Sequence, residues 1–91
     1  MVFYEKEFKE YALNKGLELT TIENYLEELT NISIFVGERI SEKNLSNLSD
    51  LRILIEKLRK YKNQKSIDKV VPAMKFYMEM IKVLFENIEK E

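Results

Sequence analysis

Apolar residues recur every three or four positions along most of this chain, the spacing that places side chains on one face of an α-helix. The first such pattern predicts a helix over about residues 3–15. Its expected buried face comprises Tyr4, Phe8, Tyr11 and Ala12. Gly16 follows the pattern, and glycine takes the left-handed conformation at a helix end without a steric penalty. We therefore expect the first helix to end at that glycine.

A second helix is predicted over about residues 21–36, closed by Gly37. Thr20 and Glu23 have the spacing of a capping box, in which each side chain binds a free backbone amide at the helix start. The expected apolar stripe comprises Ile22, Tyr25, Leu26, Leu29, Ile32 and Val36, with Phe35 beside it. Residues 37–47 are predicted to form a loop, with or without one turn of helix, because serine and asparagine side chains there compete with regular backbone hydrogen bonds.

A third helix is predicted over about residues 48–62, with Asn47 or Ser49 as its cap. Its expected buried stripe comprises Leu48, Leu51, Leu54, Ile55, Leu58 and Tyr61. Tyr25, Tyr61 and Tyr77 each lie on the expected buried stripe of their helix. We expect their rings to pack in the core rather than to stack on nucleic-acid bases.

A fourth helix is predicted over about residues 68–88, beginning near Ser66 or Asp68. Pro72 is tolerated if it lies in the first turn, whereas an earlier start would place it where it kinks the helix. The main apolar stripe comprises Val70, Met74, Tyr77, Met78, Ile81, Leu84, Phe85 and Ile88.

A second apolar stripe on this fourth helix comprises Phe76, Met80 and Val83. A helix that is apolar over so wide an arc lies at the centre of its bundle or is covered by a partner. Core packing is one interpretation of these three residues. The other is a homodimer or protein contact, since methionine-bearing surfaces repack easily against a partner helix.

The composition favours an all-α fold in one domain of 91 residues, because two glycines and one proline leave few places for tight turns. Cysteine and histidine are absent, which removes the usual nucleophile–base pairs and the commonest metal ligands. We therefore expect no catalytic activity, no cofactor and no bound metal. No apolar run approaches the ~20 residues of a membrane span, and no signal peptide is recognisable, so the expected location is the cytoplasm.

The net charge of −1 conceals an uneven distribution of charge along the chain. Residues 1–44 carry five basic and nine acidic side chains, whereas residues 51–83 carry nine basic and three acidic ones. Lysine and arginine bind nucleic-acid phosphates largely through the release of counterions. The second half of the chain is therefore the candidate for a contact with duplex DNA.

Asp68 is the only acidic residue between Arg59 and Lys69, so we place the DNA contact around this segment. The predicted contact residues are Arg59, Lys60, Lys62, Lys65, Lys69 and Lys75. The alternative is a solvated helix face, since ion pairs within one helix need no partner molecule. The residues spaced for such pairs are Lys75, Glu79, Lys82 and Glu86.

Two segments of the sequence resemble the N-terminal core-binding domain of tyrosine recombinases and phage integrases, over roughly residues 4–83. The first segment comprises Asn14-Lys15-Gly16 followed by Thr21, Ile22, Tyr25, Leu29 and Ile32 or Phe35. The second runs from Ser66 to Ala73-Met74-Lys75-Phe76-Tyr77. A similar helical region precedes the nuclease domain of some restriction-type endonucleases. The matching residues there are Asn47-Leu48-Ser49-Asp50-Leu51, Leu54 and Leu58.

This resemblance implies a four-helix orthogonal bundle with a SAM-like, core-binding arrangement, which lies on duplex DNA while another domain cuts it. It also implies a non-catalytic accessory module of a mobile-element or restriction-type protein. By position, Lys75 matches the basic residue of the last helix, and Thr21 with Asn24 lies where the second helix meets DNA. The departures from the family pattern are Pro72 and the acidic Glu23, Glu27 and Glu28, which repel phosphates.

Overall fold

The computed structural model describes the backbone of residues 1–89 and the side chains of residues 1–86. Four helices follow one another: α1 Glu5–Asn14, α2 Leu19–Val36, α3 Leu48–Leu58 and α4 Gln64–Glu89. No strand of a sheet occurs in residues 1–89, so the predicted all-α class with four helices is confirmed. Within the same range, no helix combines the length and the apolar character that a membrane crossing requires.

Helices α2 and α4 form the centre of the fold, because each of them contacts the other three helices. Helices α1 and α3 flank this pair and do not contact each other among the described residues. The core is built largely from the predicted stripes. Its buried members include Phe8, Ala12, Ile22, Leu26, Leu29, Ile32, Leu51, Leu54, Leu58, Met74, Tyr77 and Ile81. The side chain of Ile88, which the sequence assigns to the α4 stripe, lies outside those described.

Gly16 terminates helix α1 as predicted: it follows the last helical turn and adopts a positive φ of 86°, which allows the hydrogen bonds that close the helix. The Gly16 amide donates to the Leu13 carbonyl, and the Leu17 amide donates to the Ala12 carbonyl. These two bonds are the Schellman pattern, which satisfies carbonyls left free at a helix end. Leu17 packs against the core immediately afterwards.

The predicted capping box at the start of α2 is wrong. The helix begins at Leu19 with the extended Glu18 in the cap position and no side-chain cap, so Thr20 already lies inside the first turn. Anchoring of Leu17 in the core explains the early start, because it leaves only one extended residue before the chain turns into α2. Tertiary packing has overridden a local capping preference here.

The N-terminal segment and the loop after α2 are joined by a short parallel bridge between Val2 and Ile40. The Phe3 amide donates to the Ile40 carbonyl at 2.8 Å, and the Ile40 amide donates to the Met1 carbonyl at 3.0 Å. Tyr4 then adopts a left-handed conformation with φ of 62°, which turns the chain from this bridge into α1. Such a conformation costs a residue other than glycine roughly 1 kcal/mol.

The loop between α2 and α3 contains the predicted side-chain hydrogen bonds. The Ser41 amide donates to Asn44 Oδ1, and the Lys43 amide donates to Ser41 Oγ. The loop also contributes to the core, because Ile40 and Leu45 are fully buried. Helix α3 begins at the predicted cap, where Asn47 Oδ1 accepts a hydrogen bond from the Asp50 amide.

The boundary between α3 and α4 differs from the prediction on both sides. Helix α3 ends at Leu58 rather than near residue 62, and α4 begins at Gln64 rather than near residue 68. Asn63 explains the early start, since its Oδ1 accepts a hydrogen bond from the Ser66 amide in the geometry of a helix cap. Pro72 therefore lies inside α4, where its missing amide cannot donate to the Asp68 carbonyl.

Tyr77 of α4 joins three separate segments of the chain. Its side chain is fully buried, and its hydroxyl lies 2.8 Å from the Phe3 carbonyl oxygen and 3.3 Å from that of Ile40. Burial raises the pKa of the Tyr77 phenol well above its usual range, so the hydroxyl remains a neutral donor. The central helix is thereby tied to both sides of the N-terminal bridge.

We expect Tyr77→Phe to lower the free energy of unfolding by about 1–3 kcal/mol, because it leaves the Phe3 carbonyl without its donor. Urea denaturation followed by circular dichroism measures this change. The matched control is Tyr61→Phe, which removes a hydroxyl from a side chain that is 65% exposed and should stay within about 0.5 kcal/mol of the parent. Equal stability of the two variants would contradict a role for the buried hydroxyl.

We expect Pro72→Ala to raise the free energy of unfolding by about 2 kcal/mol. Proline inside a helix costs about 3 kcal/mol relative to alanine, and part of that cost is offset because proline restricts the unfolded chain. Pro72 is exposed, so alanine leaves no cavity in the core. The same denaturation experiment tests this expectation, and a variant less stable than the parent would refute it.

Candidate nucleic-acid interface

The predicted basic segment, Arg59 to Lys69, comprises residues 59–63 between α3 and α4, here called the α3–α4 turn, and the first two turns of α4. The amides of Tyr61 and Lys62 both donate to the Leu58 carbonyl at 2.9 Å, and the Leu58 side chain is fully buried. This anchor fixes the turn against the core and directs the intervening side chains outward. Arg59 and Lys60 are exposed, and Lys62 is half-buried.

Two cations in this region are paired with carboxylates. Lys57 binds Glu38, which follows the end of α2, and this hydrogen bond lowers the pKa of the Glu38 carboxyl. Arg59 binds Glu56 three residues earlier in α3. The side chains of Arg59 and Glu56 are 52% and 66% exposed, so a phosphate could replace this carboxylate at little cost.

Lys60, Lys62 and Lys65 form no ion pair among the described residues. No acidic residue occurs in the sequence from Lys57 to Ile67, which contains all three. Helix α4 also begins here, and a helix N-terminus carries a positive partial charge. The α3–α4 turn is therefore a surface region of positive charge that nearby carboxylates only partly offset.

The six predicted contact residues do not share one surface. Lys69 lies beside α2, in a shallow recess that it lines with Asn24, Glu27, Glu28 and Asn31. Lys75 is six residues further along α4, about 120° around the helix axis. It lines a separate recess with Ser46, Leu48, Met78, Glu79 and Lys82. Arg59, Lys60 and Lys62 lie between α3 and α4, and Lys65 lies in the first turn of α4. Lys69 follows Lys65 one helical turn later on nearly the same face of α4, but among the acidic residues of α2, whereas Lys75 lies on a different side of the helix.

The acidic surroundings of Lys69 follow from the path of α2. Glu28 has one carboxylate oxygen that is buried and accepts no hydrogen bond. Desolvation raises the pKa of the Glu28 carboxyl, and the positive charge of Lys69 opposes this shift without cancelling it. Lys69 therefore faces local carboxylates. The predicted approach of α2 to DNA near Thr21 and Asn24 meets the same obstacle, because Glu27 lies in this recess.

An aromatic pair that the helical periodicity does not predict lies beside the basic turn. Tyr61 was expected on a buried stripe, but it follows the end of α3 and is 65% exposed. Its ring centroid is 6.3 Å from that of Phe35 at the end of α2, and Phe35 is 44% exposed. The Lys62 ammonium lies over the Phe35 ring, 4.4 Å from its centroid. The alternation Lys60-Tyr61-Lys62 was the available sequence signal.

The second apolar stripe of α4 belongs mostly to the core. Met80 is fully buried. The Phe76 ring packs between helices, with its centroid 5.2 Å from that of Tyr11 and 5.9 Å from that of Tyr25. Only Val83, at 39% exposure, reaches the surface to a large extent. The prediction of a protein contact is thus corrected at Phe76 and Met80, which the contact of α4 with both α1 and α2 covers.

The described part of the chain contains no group of three or more metal-binding side chains that could hold an ion. Comparison with known proteins gave no matching family model, no matching curated protein and no matching solved structure.

We expect Glu28→Gln to stabilise the protein at pH 7, with the gain disappearing in acid. A raised pKa in the folded state means that folding favours the protonated carboxyl, so this contribution to stability is present at low pH and lost as the pH rises through the folded-state pKa. Urea denaturation of the parent and the variant at pH 4 and at pH 7 measures the difference in stability with the carboxyl mostly protonated and mostly ionised. Glu23→Gln, on an exposed residue of the same helix, is the matched control. A larger gain in acid than at pH 7 would contradict the expectation.

Proposed function

We propose that this protein is a non-catalytic module that binds duplex DNA through phosphates contacted by the α3–α4 turn. The observation that carries the proposal is a group of three lysines that form no ion pair among the described residues: Lys60 and Lys62 on the turn that the buried Leu58 anchors, and Lys65 in the first turn of α4. Electrostatic contacts of this kind supply most of the affinity in sequence-independent DNA binding. Arg59 adds a fourth contact when it exchanges Glu56 for a phosphate.

The resemblance to core-binding domains supports the same function and gives it a context. In that context the four helices have a SAM-like orthogonal arrangement, and the module belongs to a cytoplasmic mobile-element or restriction-type protein. The central position of α4, which contacts all three other helices, is compatible with such an arrangement. Lys69 and Lys75 are expected to contribute less to phosphate binding, since both lie further along α4 from the α3–α4 turn.

A protein contact through the apolar stripe of α4 has less support, because two of its three residues are covered within the chain itself. The proposal therefore assigns binding to charge at the α3–α4 turn rather than to apolar surface on α4.

The test is fluorescence anisotropy with a labelled duplex over a series of salt concentrations. We expect a dissociation constant of about 10⁻⁴ to 10⁻⁶ M at physiological salt, the range of non-specific binding, with affinity falling steeply as salt increases. No binding tighter than about 10⁻⁴ M at that salt would refute the proposal.

Lys60→Gln with Lys65→Gln should reduce the slope of log affinity against log salt by about 2, because each phosphate contact contributes about 0.9 to it. The matched control is Lys6→Gln with Lys9→Gln, which removes the same charge from exposed positions on α1. Equal slopes for the two double variants would show that overall charge, and not the α3–α4 turn, determines binding.

A further inference from the structure

The exposed aromatic pair at the α3–α4 turn lies where the proposed function places phosphates. Phe35 and Tyr61 are 44% and 65% exposed, and neighbouring Ile34 is 70% exposed. Exposed apolar side chains are common singly, but Phe35 and Tyr61 are in contact with each other and lie beside lysines, as in a binding surface rimmed by polar residues. The occupant of this surface must also be compatible with the lysines around it.

We infer that this surface binds single-stranded nucleic acid, with an unpaired base stacked on Tyr61 and the adjacent phosphates held by Lys60 and Lys62. The inference rests on the proposed function, because it uses the same phosphate contacts. Charge complementarity favours this occupant, since no acidic residue occurs from Lys57 to Ile67. Proteins that bind single strands without sequence preference combine aromatic stacking surfaces with a basic groove in this way.

The geometry assigns different roles to the two rings. The Lys62 ammonium already lies over Phe35, so one face of that ring is occupied by a cation. Tyr61 has the larger exposed fraction and lies at an angle of 32° to Phe35. Tyr61 is therefore the stacking residue. Phe35 supports it from α2 and holds the Lys62 charge close to the stacked nucleotide.

Hydrogen bonds within the protein hold the backbone of the turn without a ligand, and such preorganisation lowers the entropic cost of binding. The Tyr61 and Lys62 amides donate to the Leu58 carbonyl, and Asn63 caps α4 directly afterwards. The Lys57–Glu38 ion pair joins α3 to the end of α2, where Phe35 lies. These contacts hold the backbone of the turn beside the end of α2, where the two rings meet.

The experiment compares binding of labelled oligo(dT), oligo(rU) and a duplex of equal length to the intact protein and its variants by fluorescence anisotropy. Tyr61→Ala should weaken binding of both single strands by about 5-fold to 100-fold, the effect of losing one stacked base. It should change duplex affinity less than twofold, because duplex bases are stacked on each other. Tyr61→Phe retains the ring and should bind as the parent does.

Leu19→Ala is the matched control, since it truncates another large side chain, 63% exposed, at the start of α2. A single strand containing one 2-aminopurine gives a second readout. Its fluorescence should be quenched on binding to the parent and to Tyr61→Phe, but not on binding to Tyr61→Ala.

Two outcomes would overturn the inference while leaving the proposed function intact. One is duplex binding with the expected salt dependence together with single-strand affinities that Tyr61→Ala does not change. The other is a parent protein that sedimentation equilibrium shows to be a dimer and that Tyr61→Ala converts to a monomer, since the surface is then a contact between two copies. Absence of binding to all three probes would refute both. Tyr61-dependent binding to single strands without duplex binding would refute the duplex proposal and retain only the phosphate contacts that the inference shares with it.

Discussion

The fold depends on the requirement that the buried hydroxyl of Tyr77 find an acceptor. A phenol without a partner in the core costs free energy, and here its acceptors are the carbonyls of Phe3 and Ile40. Those two residues also exchange a backbone hydrogen bond across the N-terminal bridge. One side chain on the central helix therefore fixes the position of the first residues of the chain and of the loop that leads into α3.

The position of α3 transmits this constraint to the candidate interface. The loop that Tyr77 holds at Ile40 continues through the buried Leu45 to the Asn47 cap, so the start of α3 is set by core contacts. Its other end is set by the burial of Leu58 and by the ion pair between Lys57 and Glu38. With both ends of α3 fixed, the following turn is held beside the end of α2, where Tyr61 meets Phe35.

The sequence was sufficient wherever one local interaction determined the outcome. Helical periodicity predicted four helices and most of the core, and the positions of Gly16, Gly37 and Asn47 predicted three helix boundaries that the structure has. It failed where two local solutions were equally available. The local sequence is compatible with a helix that starts after Thr20 as its cap or after Glu18. Only the packing of Leu17 against the core decides between these two start positions.

The candidate site divides in the same way between local and tertiary information. The excess of lysine around the α3–α4 turn is a property of composition, so the sequence located it. The carboxylates near each lysine come partly from the neighbouring helix, which the sequence alone does not identify. The sequence therefore could not show that Lys69, unlike Lys65, lies beside Glu27 and Glu28. Tyr61 is exposed because α3 ends before it, at Leu58. The apolar spacing continues without a break through residue 61, so the sequence did not indicate this end.

A net charge of −1 is compatible with a site for a polyanion because electrostatic interactions in solution are local. At physiological ionic strength the screening length is about 8 Å, so exposed carboxylates further away contribute little to the potential at the α3–α4 turn. Glu38 and Glu56 are each already paired with a cation, and Asp68, in α4 close after Lys65, accepts a hydrogen bond from Gln64 Nε2. A phosphate close to this surface would interact mainly with the charges of Lys60, Lys62 and Lys65. The acidic first half of the chain therefore weakens the long-range attraction of a polyanion more than it weakens the binding of a phosphate already in contact.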